Sequence, residues 1–112
     1  MKGPVDAVVK CGGGLLSQPA HFAAVTACLR DCARHVRLVV VPGGGPFADA
    51  VRAMDRQMPV AVETAHWMAI RAMDVYAELL AGHLGADLLT QWPAEPPLTA
   101  GRCAVIAPGA WL

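Results

Sequence analysis

Leu38-Val39-Val40-Val41-Pro42-Gly43-Gly44-Gly45-Pro46 decides how this chain folds. Four aliphatic residues in a row read as a strand buried on both faces rather than on one. Pro42 cannot donate to a ladder and marks the strand's end. An ordinary turn needs one or two glycines, and a third costs backbone entropy, so three together imply a loop whose bare backbone is approached closely. Pro46 suits the first turn of a following helix, with Gly45 at its cap. The stretch is thus strand, glycine loop and helix. Such a loop offers N–H groups and a partial positive charge to an anion.

The same grammar occurs upstream in Val8-Val9-Lys10-Cys11-Gly12-Gly13-Gly14. Val5 to Lys10 reads as a first strand, again nearly continuous in its apolar run and expected to be covered on both sides. Ser17 is a candidate N-cap with Pro19 in the first turn of a helix over about 18–35. Phe22, Val25, Cys28, Leu29 and Cys32 fall at helical spacing and predict its buried face. Strand two spans about 37–41 and a helix spans 47–58. After Pro59 a longer helix runs over 62–81, with Gly82 and Gly85 as stop signals. Short strands are expected over 87–91 and 103–107, separated by a loop containing Pro93, Pro96 and Pro97. This alternation predicts a three-layer α/β/α fold with a mainly parallel sheet and right-handed crossovers. Ligands of such sheets sit beyond the carboxyl ends of the strands, where both glycine turns fall.

Composition narrows the function. The chain has 112 residues, enough for one domain, with nine acidic and nine basic side chains. With no basic excess, nucleic acid and anionic membranes lack an electrostatic handle. No apolar stretch approaches the ~18 residues of a spanning helix, and no signal peptide is evident. Hydrophobic residues make up 55% of the chain, implying a core covered on two faces or a surface that needs a partner. Cys11, Cys28, Cys32 and Cys103 form no CxxC pair. They read as small buried hydrophobes in a reducing cytoplasm, since a zinc site would find only His35 nearby.

Several side chains could act on an anion. Lys10 ends strand one and can aim a compact positive charge at a phosphate held by the adjacent glycines, or simply reach solvent. The segment is neither a GxxxxGK[ST] P-loop nor a GxGxxG fingerprint. Asp49, Arg52 and Asp55 lie three apart on the helix after the second turn. Asp49 and Arg52 are early enough to face a ligand there, or to form a solvated ion pair. His66 reads as structural. Trp67, Met68, Ile70, Met73, Val75 and Tyr76 give the long helix an apolar surface for the core or an interface.

Val8 to Leu16 resembles the Lys-x-Gly-Gly-Ser opening of the amino acid kinase superfamily, which includes aspartate, glutamate and uridylate kinases. Val39 to Asp49 resembles its second glycine loop. Val51-Arg52-x-x-Asp55 and Ala65-His66-Trp67-Met68-Ala69-Ile70-x-Ala72-Met73-Asp74 are similar to the branch containing [5-(aminomethyl)furan-3-yl]methyl phosphate kinase, of methanofuran biosynthesis, and its relatives in one-carbon metabolism. Gly14 stands where the family has serine, removing a hydroxyl near the phosphates.

The resemblance implies a role for each loop. Lys10, as the catalytic cation, would bind ATP phosphates together with Gly12, Gly13 and Gly14. Gly43, Gly44 and Gly45, with Asp49 and Arg52, would hold the acceptor phosphate. Mg²⁺ would neutralise further charge, with no metal ligand assigned in this chain. The implied reaction moves a phosphoryl group from ATP to a small phosphate monoester in the cytoplasm. Family members are longer, so residues 1–112 are expected to form one partial, N-terminal domain. A homo-oligomer or a partner would supply the rest. The alternative is a non-catalytic anion- or nucleotide-binding half-domain acting in an oligomer.

Overall fold

The computed structural model describes residues 5–91, 101 and 103–110. Strands β1 (Ala7–Cys11), β2 (Leu38–Pro42), β3 (Asp87–Leu89) and β4 (Cys103–Ile106) form one all-parallel sheet in the order β1-β2-β4-β3. Helices α1 (Pro19–Ala33), α2 (Gly45–Gln57) and α3 (Val62–Leu84) connect them, with a short 3₁₀ turn over Gly13–Ser17 and another over Pro108–Ala110. The proline loop expected over 93–97 lies outside the described residues.

The topology explains where the helices sit. β1 to β2 and β2 to β3 both step across the sheet in the same direction. Right-handed crossovers therefore carry α1 and α3 over the same face. There Phe22, Leu29 and Ala33 of α1 and Tyr76, Ala77, Leu80 and Leu84 of α3 pack on Cys11, Leu38, Val40, Cys103 and Val105. Burying Leu80 or Val105 completely is worth about 1.5–3 kcal/mol each. α2 rides on α3 and on the first 3₁₀ turn, with Phe47 against the Tyr76 ring at 6.4 Å between centroids.

The opposite face carries a smaller cluster of Val39, Leu89 and Ala104, joined by Val5 and Ile106, and no described helix residue enters it. Of the three expected layers, two are therefore built by described residues. β1 feels this most. It is an edge strand, its burial alternates, and Val8 is 65% exposed, so the expectation of cover on both sides fails there. β2, central and flanked by β1 and β4, is buried at every position but Val41, which is half-buried.

Local signals shift by a residue or two. Pro42 is the last residue of β2 and pairs with Cys11, rather than standing outside the strand. The buried stripe of α1 is Phe22, Thr26, Leu29 and Ala33. Thr26 joins it because its hydroxyl donates back to the Phe22 carbonyl at 2.9 Å. Cys28 and Cys32 consequently turn outward and are exposed, while Cys11 and Cys103 are buried, so the expectation of four buried thiols is half right. Ser17 does not cap α1. Gln18 holds that position, and Ser17 Oγ donates to the Gly14 carbonyl at 2.7 Å, closing the 3₁₀ turn. Gly82 lies inside α3, and Gly85, at φ +62°, ends it.

Candidate functional site

Because the sheet is parallel, every strand ends at one rim. Cys11 and Pro42 are register partners, so the glycine turns that follow begin side by side. The Gly43 N–H donates to the Cys11 carbonyl at 2.9 Å and locks the two turns together. Beyond that bond they touch backbone to backbone. A Cβ on Gly13 would lie 1.9 Å from Gly45 Cα and 2.1 Å from Gly45 N. A Cβ on Gly45 would lie 2.8 Å from Gly13 Cα, and Gly45 itself takes φ +59°. At Gly44 a Cβ would meet that of Ala48 at 2.5 Å. No side chain fits at these three positions. The glycine run is the consequence of two chain segments meeting at van der Waals distance, together with one left-handed residue.

The amides divide by role. Gly43 donates to the sheet and is not free for a ligand. Gly12 precedes the 3₁₀ turn and Gly44 precedes α2, each without a side-chain cap. Uncapped helix starts leave N–H donors that an anion can accept from. Gly12 and Gly14 have open space where a Cβ would point. Gly14 is therefore not packed against the second turn as Gly13 is.

Lys10 is exposed, on the face of β1 that also carries Val8 and that no described helix covers. It forms no ion pair or hydrogen bond among the described residues. Asp49 and Arg52 bond to each other at 2.7 Å and are both largely exposed. A pair of that kind is worth about 0.3–0.5 kcal/mol and leaves further donors on the guanidinium. Asp55, on the same helix, accepts from the Val60 N–H at 3.1 Å and closes the α2–α3 connection. His66 is exposed on α3 and stacks edge-on with Trp67.

Two residues that the sequence reading left in the core or unassigned hold the rim in place. Tyr76 is fully buried, and its hydroxyl donates to the Gly12 carbonyl at 2.9 Å and contacts Cys11 Sγ at 3.7 Å. Burial raises its phenol well above the ordinary value. Two residues earlier, the Asp74 carboxylate accepts from the Gly109 N–H at 2.8 Å, beyond the end of β4. α3 thus ties down the ends of β1 and β4 together. The sequence carried a signal for Tyr76: a hydroxyl on a buried stripe must find a partner. A groove of about 450 Å³ lies elsewhere, between α1 and α3, lined by Phe22, Thr26, Arg30, Leu79 and His83.

A parallel α/β sheet with two glycine turns joined at one rim defines the class: an α/β protein whose glycine turns meet beyond the carboxyl ends of its strands. The chain belongs to the amino acid kinase family, whose sequence profile matches residues 7–96. This is the family that the Lys10–Gly14 and Pro42–Asp74 stretches resemble. Over 76 residues the chain is 32% identical to [5-(aminomethyl)furan-3-yl]methyl phosphate kinase of Methanocaldococcus jannaschii, covering 66% of this chain and 34% of that protein. Over 107 residues it is 29% identical to uridylate kinase of Methanosarcina mazei, covering 88% of this chain and 46% of that one. The matches therefore span less than half the length of these curated relatives.

The rim fits part of what such a family uses. Glycine amides at two uncapped helix starts suit the oxygens of a phosphate. Among the described residues no group of three His, Cys, Asp or Glu side chains converges, whereas Mg²⁺ in such sites takes one or two carboxylates beside the phosphates it bridges. Asp49, the acidic residue nearest the second turn in sequence, is already paired with Arg52.

Proposed function

We propose that the chain carries the phosphate-binding half of a phosphoryl-transfer site, acting on ATP and a small phosphate monoester. Lys10, Gly12, Gly13 and Gly14 hold ATP phosphates. Gly44 and Gly45 hold the acceptor phosphate, with the Arg52 guanidinium about two turns further along the same helix. Gly43 serves by fixing one turn to the other. The observation that carries this reading is the backbone contact of Gly13 with Gly45. It brings two anion-binding turns close enough for a donor and an acceptor phosphate to meet. Phosphoryl transfer needs little covalent help beyond such positioning and charge neutralisation. The family membership and the two kinase relatives support the reaction class. The furan-phosphate relative supports a role in methanofuran or one-carbon cofactor synthesis. We place the chain in the cytoplasm, where ATP is supplied; no described helix is long and apolar enough to cross a membrane.

A second reading is favoured by the share of the kinase relatives that the chain matches, 34% and 46% of their lengths. The chain then binds nucleotide or phosphate without turnover, and a second copy or a partner completes the site. One experiment separates the two. ADP release is measured with ATP, Mg²⁺ and a panel of phosphate monoesters, beside calorimetric titration with ATP and inorganic phosphate. Turnover that falls at least tenfold in Lys10→Ala supports transfer. Binding without turnover supports the half-site. Neither binding nor turnover refutes both.

A further inference from the structure

The groove of about 450 Å³ between α1 and α3 plays no part in the site at the glycine rim. Its walls are largely apolar, with Phe22 and Leu79 among them. Thr26 lines it too, but its hydroxyl already bonds the Phe22 and Ala23 carbonyls at 2.9 and 3.1 Å. The polar groups left for a ligand are Arg30 and His83.

These two are fixed in place. One guanidinium nitrogen of Arg30, Nη1, donates to the His83 carbonyl at 2.7 Å, setting a cation at the last turn of α3. The Nε and Nη2 donors keep no partner among the described residues. That edge offers two parallel N–H groups, the pair that a carboxylate accepts in bidentate fashion. No described carboxylate takes it, since the ion pairs there are Arg34 with Asp31, Arg37 with Asp6 and Arg52 with Asp49. The His83 ring is held by Nδ1, 3.2 Å from the Leu79 carbonyl, and stands edge-on to Phe22 with centroids 5.0 Å apart.

We propose that this groove binds a small monocarboxylate with an apolar body. The carboxylate sits on the free edge of Arg30, and the body lies along Phe22 and Leu79. The volume falls within the about 300–1,000 Å³ usual for small-molecule sites, which pair apolar walls with a few fixed polar groups. Charge and surface select together. A carboxylate gains charge-assisted hydrogen bonds from a cation that has no counter-ion, while the body leaves water. A small inorganic anion lacks the second term, and an uncharged hydrocarbon lacks the first. The groove's ligand does not depend on what the rim binds.

The test is an NMR titration of the full chain, labelled at its amides, with octanoate and with phenylpropanoate. Binding is expected with a dissociation constant of about 1 mM or tighter, within reach of roughly ten heavy atoms. The amides of Phe22, Ala23, Arg30, Leu79 and His83 are expected to shift. Acetate, which lacks the body, and phenylpropanol, which lacks the charge, should each bind at least tenfold more weakly. Arg30→Gln keeps a donor for the His83 carbonyl and should weaken binding at least tenfold. Ala23→Trp, at an exposed position lining the groove, should block it. Circular dichroism checks that both variants keep their helices, and excess inorganic phosphate should leave the affinity unchanged. Failure of both acids to bind, an Arg30→Gln or Ala23→Trp variant that binds like the wild type, or displacement by phosphate with shifts centred on the glycine turns would each overturn the proposal.

Discussion

Replacing Gly13 by alanine tests the geometry on which the functional reading rests. The new methyl would sit 1.9 Å from Gly45 Cα and 2.1 Å from its nitrogen. Carbon atoms pack at about 3.5–4.0 Å, so the two turns must part by roughly 1.5 Å or more. Both obstacles are backbone, so no side chain can swing away. The Gly43 N–H bond to the Cys11 carbonyl, immediately before the contact, resists the parting. Overpacking of this kind costs about 1–3 kcal/mol, a fall in Tm of roughly 4–12 °C for a chain of this size. The effect on binding is sharper. A shift of about 1 Å in a positioned site commonly costs two orders of magnitude in function, so affinity for inorganic phosphate is expected to drop at least tenfold. Urea denaturation and calorimetry measure the two effects separately. Gly14→Ala is the control, since nothing lies within 4 Å of a Cβ there; its stability is expected within about 0.5 kcal/mol of wild type. Should Gly13→Ala match wild type in both denaturation midpoint and phosphate affinity, the two turns do not meet as described and the paired cradle is wrong.

Tyr76→Phe removes the donor to the Gly12 carbonyl, and urea denaturation is expected to show a loss of about 0.5–1.5 kcal/mol. Tyr76 is the sole tyrosine, so phenolate absorbance reports it alone. Its folded value is raised above the ordinary 10.0, so stability is full below that pH and declines above it as the unfolded state ionises. Phenolate is expected to appear only together with unfolding, and Tyr76→Phe should flatten the alkaline loss. Asp6 behaves in the opposite sense. Hydrogen bonds from Arg37 hold its carboxyl at about 2 against an ordinary 3.8. Its contribution is therefore present above pH 3.8 and fades as pH falls towards 2; Asp6→Asn should destabilise at neutral pH and match wild type near pH 2, by thermal melts. A thiol reagent should label two cysteines in the native chain, Cys28 and Cys32, and all four in urea.

How much of this the sequence disclosed depends on the range of the interaction concerned. Strand–glycine–helix order was legible twice, because apolar runs, glycine clusters and Pro46 act within a few residues of themselves. The pairing of the two turns at one rim was legible from the parallel alternation alone. Its cause was not: that Gly13 and Gly45 must be glycine because each occupies the other's Cβ space is a contact across more than thirty residues. The same distance hid Tyr76 and Asp74. Each looks like an ordinary helix residue until the sheet brings Gly12 and Gly109 beneath α3. The face of α1 failed for a local reason that periodicity does not register. Thr26 satisfies its hydroxyl within its own helix and so can sit in the buried stripe with Phe22 and Leu29, while Cys28 and Cys32 face solvent. Thr26→Val, which keeps the shape and drops the hydroxyl, should leave that arrangement intact. The orientation is set by the apolar seam of Phe22 and Leu29, and the hydroxyl is only what makes threonine tolerable in it.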